Sequence, residues 1–299
     1  MTLPKLTPSL CALVFSAGLA HADTSPSFGV LEFGLDDTLF VADSTAGTIT
    51  AYDLPNDGVA PAEDQAFNLL DVDALVAEAI GADGRIIYND LAVHPVTRAA
   101  YVSLSAAVGG SPSSAVVSIT VEGEVAVLDL AAIPSTTFTL AQPADDQVTF
   151  WRDIPAPTHT ITDLDNVNRK LFNAGLSTGE FASTLRRGAY PFDGPETSSS
   201  IEMFHAAHGQ NETRAPIRAM SVVDLDGVAT VVAAYTCTPL VTIPVEGLQD
   251  GTHVVGKTIA ELGYGNLPLD VIPFSTANME GEIESYVLVV NREMDADLI

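Results

Sequence analysis

Four charged side chains, Asp90, Asp163, Arg218 and Asp270, fall at one equivalent position in four of five copies of a recurring strand–turn–strand phrase; Val30 holds that position in the first copy. Side chains on one face of a strand recur every second residue, so Glu32 and Asp165 stand one step further along the same face. If the five strands line a common axis, these carboxylates converge on one polar mouth with a single arginine among them. Converging carboxylates repel unless a cation sits between them, which makes calcium or a similar hard cation the expected ligand. Water at an open mouth would screen the same charges, and the two readings stand side by side.

A second constellation lies in His205-Ala-Ala-His-Gly-Gln-Asn-Glu212, where two imidazoles spaced by three and a carboxylate could share a metal ion. Here His205, His208 and Glu212 are the expected ligands, with zinc or copper the metal such a set prefers; for the chain as a whole calcium ranks ahead of both. The alternative is a loop whose imidazoles hydrogen-bond neighbouring turns. Cys237 is a lone thiol among apolar residues, and such thiols are ordinarily small core side chains.

Two further matches lose to their contexts. Gly251-Thr-His-Val-Val-Gly-Lys-Thr258 has the spacing of a phosphate-binding loop, but a turn precedes it and Gly263 allows no substantial helix after it. Gly175-Leu-Ser-Thr-Gly179 has the spacing of a nucleophile elbow around Ser177, yet the alternating helices of that architecture are missing.

The elements that must position these residues come from the repeat itself. Its copies span Gly29–Asp43, Tyr88–Ser103, Ile161–Ala174, Ile217–Ala234 and Leu269–Val290, each an apolar strand, a polar turn and a second apolar strand. Additional strands are expected at Thr48–Leu54, at Ala115–Val121 with Glu124–Leu130, and at Leu240–Val245. Each unit then holds three or four short strands, the content of a propeller blade, and its short links leave no room for parallel crossovers. The expected fold is an all-β propeller of five to seven blades with a few short helical insertions. The pattern Val72, Leu75, Val76, Ala79, Ile80 predicts a helix with Asp71 as N-cap and Gly81 past its end. Short helices are also expected at Phe181–Arg187 and Thr258–Leu262, and surface loops at Pro143–Pro157 and Asp193–Ser200.

The phrase Asp36-Asp-Thr-Leu-Phe-Val-Ala-Asp-Ser44, followed by Gly47-Thr-Ile-Thr-Ala-Tyr-Asp-Leu54, resembles a blade of the NHL-repeat and gluconolactonase-like propellers, and Asn89-Asp-Leu-Ala-Val-His-Pro95 is similar to the start of those blades. The resemblance covers about a third of the chain. Its group includes calcium-dependent lactonases and pure binding scaffolds, so it implies a fold more than an activity. In a lactonase of this kind, a cation at Glu32, Asn89, Asp163 and Asp270 would polarise a lactone or ester carbonyl. Asp90 would then act as general base, and Arg218 would orient substrate or steady an oxyanion. The glutamate-glycine-proline start of the lactonase pattern is missing near Glu32.

Compartment and partners follow from the ends and the charge. Lys5, the apolar run Leu10–Leu19 and Ala20-His21-Ala22 read as a signal peptide over residues 1–22, leaving residues 23–299 as one domain that is exported, periplasmic or secreted. The apolar run is shorter than the roughly 20 residues a membrane helix needs, so no membrane anchor is expected. With 39 acidic against 12 basic residues and a net charge of −27, the chain repels phosphate backbones and anionic lipid, which argues against nucleic acid. Partners are expected to be a small polar ligand or another exported protein, met by a monomer. The expected function is binding of a cation or small polar ligand at the axial mouth; the alternatives are a scaffold that docks another protein through its blade loops and calcium-dependent hydrolysis of a lactone or ester at the same mouth.

Overall fold

The polar turns break the apolar runs into short antiparallel strands whose alternation decides which face each residue buries. The computed structural model describes residues 27–55, 58–62, 65–148, 154–236, 238–263 and 265–299. Strands β1 (Leu31–Phe33), β2 (Thr38–Asp43) and β3 (Thr48–Asp53) open the first blade. Helix α1 (Val72–Ile80) leads into a second blade of β4 (Ile87–Val93), β5 (Ala100–Val108), β6 (Ser111–Ile119) and β7 (Val125–Val127). The chain then returns: β8 (Ser135–Thr139) pairs with β3 and completes the first blade.

The third blade holds β9 (Asp163–Val167), β10 (Lys170–Leu176), β11 (Ser183–Ala189) and β12 (Thr197–His205), with β13 (Gln210–Glu212) hairpinned on β12. Strands β14 (Ile217–Leu225), β15 (Val228–Tyr235), β16 (Pro239–Pro244) and β17 (His253–Glu261) form the fourth. The fifth has β18 (Pro268–Ala277), β19 (Ile283–Asn291) and β20 (Asp297–Leu298). This is an all-β propeller, with five blades among the described residues.

Blade order in space is not chain order. The first strand of each unit is innermost; β1 packs on both β4 and β9, while β14 packs on β9 and β18. Around the axis the blades therefore run second, first, third, fourth, fifth. Blades three and four are also joined at their outer edges, where β12 and β17 pair in parallel.

Apolar clusters fill four of the five interfaces. Leu31, Leu39, Ala92 and Val116 join blades one and two; Val30, Phe40, Ile49, Leu164 and Leu171 join one and three. Between three and four the largest cluster includes Phe172, Ile201, Met203, Val231 and Tyr235, and Ala219, Leu240, Val271 and Val289 join four and five. Between blades five and two there is an open space. On that side, α1 and the segment before it cover blade two, with Val76 packed among Ala100, Val102, Leu104, Val117 and Ile119.

Several local expectations need correction. Asp71 adopts a left-handed conformation and makes no side-chain cap; its carbonyl accepts the N–H groups of Ala74 and Leu75 instead. Gly81 does end the helix in the left-handed conformation. Phe181–Arg187 is not helical: most of it is β11, held between β10 and β12, and tertiary pairing overrides its weak helical spacing. Thr258–Leu262 belongs mostly to β17, and β12 begins inside the expected loop Asp193–Ser200. The presumed signal peptide, residues 1–22, and Cys237 lie outside the described residues. Among the described residues no helix is long and apolar enough to cross a membrane.

Candidate functional site

An innermost strand has a partner on one side only, so half of its backbone N–H groups point toward the axis unpaired. In this chain, side-chain carboxylates of neighbouring blades fill that role. Asp90 accepts the N–H of Leu31 at 2.8 Å, which ties blade two to blade one. Glu32 accepts Asn166 at 3.2 Å across the next interface. Asp163 and Asp165 accept the N–H groups of Met220 and Val222, each at 2.5 Å, and Asp165 also takes the Ser221 hydroxyl at 3.2 Å. Every second residue of β9 thus meets every second residue of β14.

The ladder does not continue to the last interface. Asp270 accepts the N–H of its own neighbour Val271 at 2.7 Å. At the interval between blades five and two lies a cavity of about 920 Å³. Its polar floor is Asp90, Asp163, Arg218, Asp270 and Arg292, with Asn89 and Thr162 at its side. The repeat alignment placed Asp90, Asp163, Arg218 and Asp270 at equivalent positions, and all four line this cavity together with Val30.

Its walls are apolar. Phe67, Leu69 and Val72 come from the α1 segment, Ile87, Leu91, Val102 and Ile119 from blade two, and Leu269, Ile272 and Val290 from blade five. Five of these apolar residues remain well exposed, Phe67, Ile87, Leu91, Leu269 and Ile272, from 41% to 55%. Tyr88 closes one rim by donating its hydroxyl to Asp73 of α1 at 2.6 Å.

Burial governs the charge states on the floor. It pushes Asp90 up to about 7 against the lowering by the Leu31 N–H, with the Asp270 charge adding to the rise. Asp163 is raised well above its ordinary value by burial and by the Asp90 charge, and burial raises Asp270. Glu32 is raised by burial and then by Asp165. Arg218 is lowered by burial and by Arg292 against the raising effect of the Asp163 and Asp90 charges, while burial and the Arg218 charge bring His159 down to about 4. Among the described residues, neither Arg218 nor Arg292 has a carboxylate within the 4.0 Å of an ion pair. On the floor, two guanidinium groups thus stand beside buried carboxyls whose hold on a proton is strengthened.

Of the expected hard-cation ligands, Asn89, Asp163 and Asp270 line the cavity. Glu32 does not line the cavity, and one of its oxygens is engaged by Asn166. Asn89 donates to the Phe28 carbonyl and the Ser105 hydroxyl. Among the described residues, the only group of three or more His, Cys, Asp or Glu side chains with ligand atoms within 4.8 Å of one another is His205, His208 and Glu212. That group sits on the β12–β13 hairpin, away from the axis.

The two motif matches resolve into packing. Gly251 turns the chain with φ +70°, and Lys257 and Thr258 lie within β17, so no helix follows the presumed phosphate loop. Gly175 lets β10 pass under the Thr160 carbonyl, where a Cβ would stand 2.1 Å from the oxygen. Ser177 is buried against the Thr184 hydroxyl at 2.8 Å and accepts the N–H of Gly179. Arg292 and the apolar walls are not among the site residues expected from the sequence. Arg292 lies two residues past Val290 in the fifth copy of the phrase, a position that alignment of the innermost strands alone does not inspect.

Comparison with known proteins adds little. No family model matches the chain, and no curated protein sequence does. Among solved structures it is similar to virginiamycin B lyase from Staphylococcus aureus, at 8% identity over 93% of this chain and 85% of that one, with a TM-score of 0.31. A catalytically inactive variant of that lyase with quinupristin gives 10% identity, coverage of 92% and 80%, and a TM-score of 0.32. A streptogramin B lyase gives 8%, coverage of 93% and 95%, and 0.31. Similarity this distant carries no activity across, and the propeller assignment rests on the strand pairings above.

Proposed function

We propose that this chain is a propeller scaffold that binds one small amphipathic molecule in the cavity between blades five and two. The ligand's apolar body lies against α1, Leu91 and Ile272, and its head carries acceptor oxygens, a carbonyl or carboxylate, facing Arg218 and Arg292. The observation that carries this reading is a pair of arginines on the floor of a mostly apolar cavity, neither of them, among the described residues, within ion-pair distance of a carboxylate. Largely apolar pockets with a few convergent polar groups are the usual form of small-molecule sites. Buried carboxyls with a strengthened hold on their protons, beside two guanidinium groups, favour an acceptor over a metal cation, because the guanidinium charges repel a cation.

Anilinonaphthalene sulfonate, an apolar dye with an anionic head, is a suitable probe. A chain of charge −27 repels it everywhere except at a site that supplies positive charge. One saturable site per chain is expected, weakened by Leu91→Trp, which fills the cavity. Absence of saturable binding, or binding indifferent to that substitution, would reject the site.

A further inference from the structure

The β12–β13 hairpin carries an arrangement that the axial cavity does not use. His205 ends β12, Glu212 ends β13, and His208 lies in the turn between them, where Gly209 takes φ +63°. The two imidazole rings have centroids 4.1 Å apart. Glu212 faces both: one of its oxygens lies 3.1 Å from His205 Nδ1 and also contacts His208 Nδ1.

The other nitrogen of His205 fixes how this cluster must be read. His205 Nε2 lies 3.0 Å from the Thr238 hydroxyl, and that hydroxyl donates its one proton to Glu261. Thr238 must therefore accept from His205, which puts a proton on Nε2. In the neutral ring Nδ1 is then an acceptor, and it faces a carboxylate oxygen, another acceptor. Two facing acceptors at this distance need something positive between them, a proton or a metal ion.

A ring whose far N–H is held by a hydroxyl–carboxylate pair is the usual outer-shell support of a metal-ligating histidine. His205 is buried at 2% exposure, which fixes its ring, while the His208 side chain is 54% exposed and leaves one side open to solvent. Glu261 is anchored in turn by the N–H of Ala206 at 2.7 Å.

The geometry points to a divalent transition-metal site formed by His205 Nδ1, His208 Nδ1 and Glu212, with zinc the ion its two nitrogens and one oxygen suit best. Three protein ligands leave a coordination position for water, the form of open zinc sites rather than closed structural ones. Thr238 and Glu261 are positioning residues that orient the His205 ring.

The test is zinc titration of the metal-stripped chain, followed by cobalt substitution. One zinc per chain is expected, and cobalt should show the visible absorption of a four-coordinate site. His208→Ala removes an exposed ligand without opening the core, so it should abolish binding while leaving the melting temperature of the metal-free protein unchanged. Glu212→Gln should do likewise, and Thr238→Val should weaken zinc about 10- to 100-fold, the usual effect of losing an outer-shell partner. Zinc binding that is absent, or that survives both ligand substitutions, overturns the proposal. Dye binding in the axial cavity should be the same in His208→Ala as in the wild type, so the two sites fail or stand separately.

Discussion

The Asp163 carboxylate accepts the backbone N–H of Met220 at 2.5 Å, joining the innermost strands of two neighbouring blades. The same bond type recurs from Asp90 to Leu31, from Glu32 to Asn166 and from Asp165 to Val222. The axial acids are thus ties between blades first, and only those left facing the cavity remain for a ligand.

Removing one tie should cost stability without changing the fold. Asp163→Ala leaves the Met220 N–H buried and unpaired, with an expected loss of about 1–3 kcal/mol in urea unfolding. Asp163→Asn keeps an acceptor oxygen and should lose much less. Equal losses in the two variants would show that charge, not the hydrogen bond, holds the interface.

The raised carboxyls set the sign of the pH dependence. Asp90 goes from an ordinary value of 3.8 to about 7 in the fold, so the folded state binds its proton more tightly than the unfolded chain does. Its stabilising contribution is full below about pH 4 and is lost as the pH rises through about 7. The melting temperature should fall across this window, and Asp90→Asn should flatten part of the slope. The overall negative charge acts in the same direction, so an Asp90→Asn slope identical to the wild type would contradict the assignment.

Arg186 is 1% exposed and donates to the carbonyls of Thr160, Gln142 and Leu176 at 3.2, 3.1 and 2.7 Å. Arg186→Met strips all three acceptors of their donor and should destabilise the chain by about 3–5 kcal/mol, the range for breaking a buried charged network. Midpoint and slope in urea together check this. A change under about 1 kcal/mol would mean that water replaces the guanidinium.

Gly175 tests the packing reading of its motif. Gly175→Ala drives a Cβ into the Thr160 carbonyl and should cost about 1–3 kcal/mol or more. Gly188→Ala meets nothing within 4 Å and serves as the control. Near-equal stabilities would show that the backbone at Thr160 yields freely.

The legible part of this molecule was what repeats. Asp90, Asp163, Arg218 and Asp270 could be set in register because each follows the start of the same phrase, and α1 because its apolar spacing matches one helical face. The return of β8 to the first blade was not legible, since Ser135–Thr139 is a short polar strand with no partner signal nearby in sequence. The parallel pairing of β12 with β17 joins segments about fifty residues apart and left no local trace either. Nor was the role of the acids visible: an aspartate that ties a neighbouring N–H and one that faces a ligand look alike until the blades are placed. The cavity follows from spatial order, because it lies between the fifth blade and the second.

The central claim is that Arg218 and Arg292 make the floor of this cavity an acceptor-binding site, and head-group discrimination tests it most directly. Titrating the wild type and Arg218→Leu with anilinonaphthalene sulfonate and with neutral phenylnaphthylamine isolates the head from the apolar body. The substitution should weaken the sulfonate about tenfold or more, the scale of one charge-assisted hydrogen bond, and leave the neutral dye nearly unchanged. Equal effects on both dyes, or none on either, would contradict that claim.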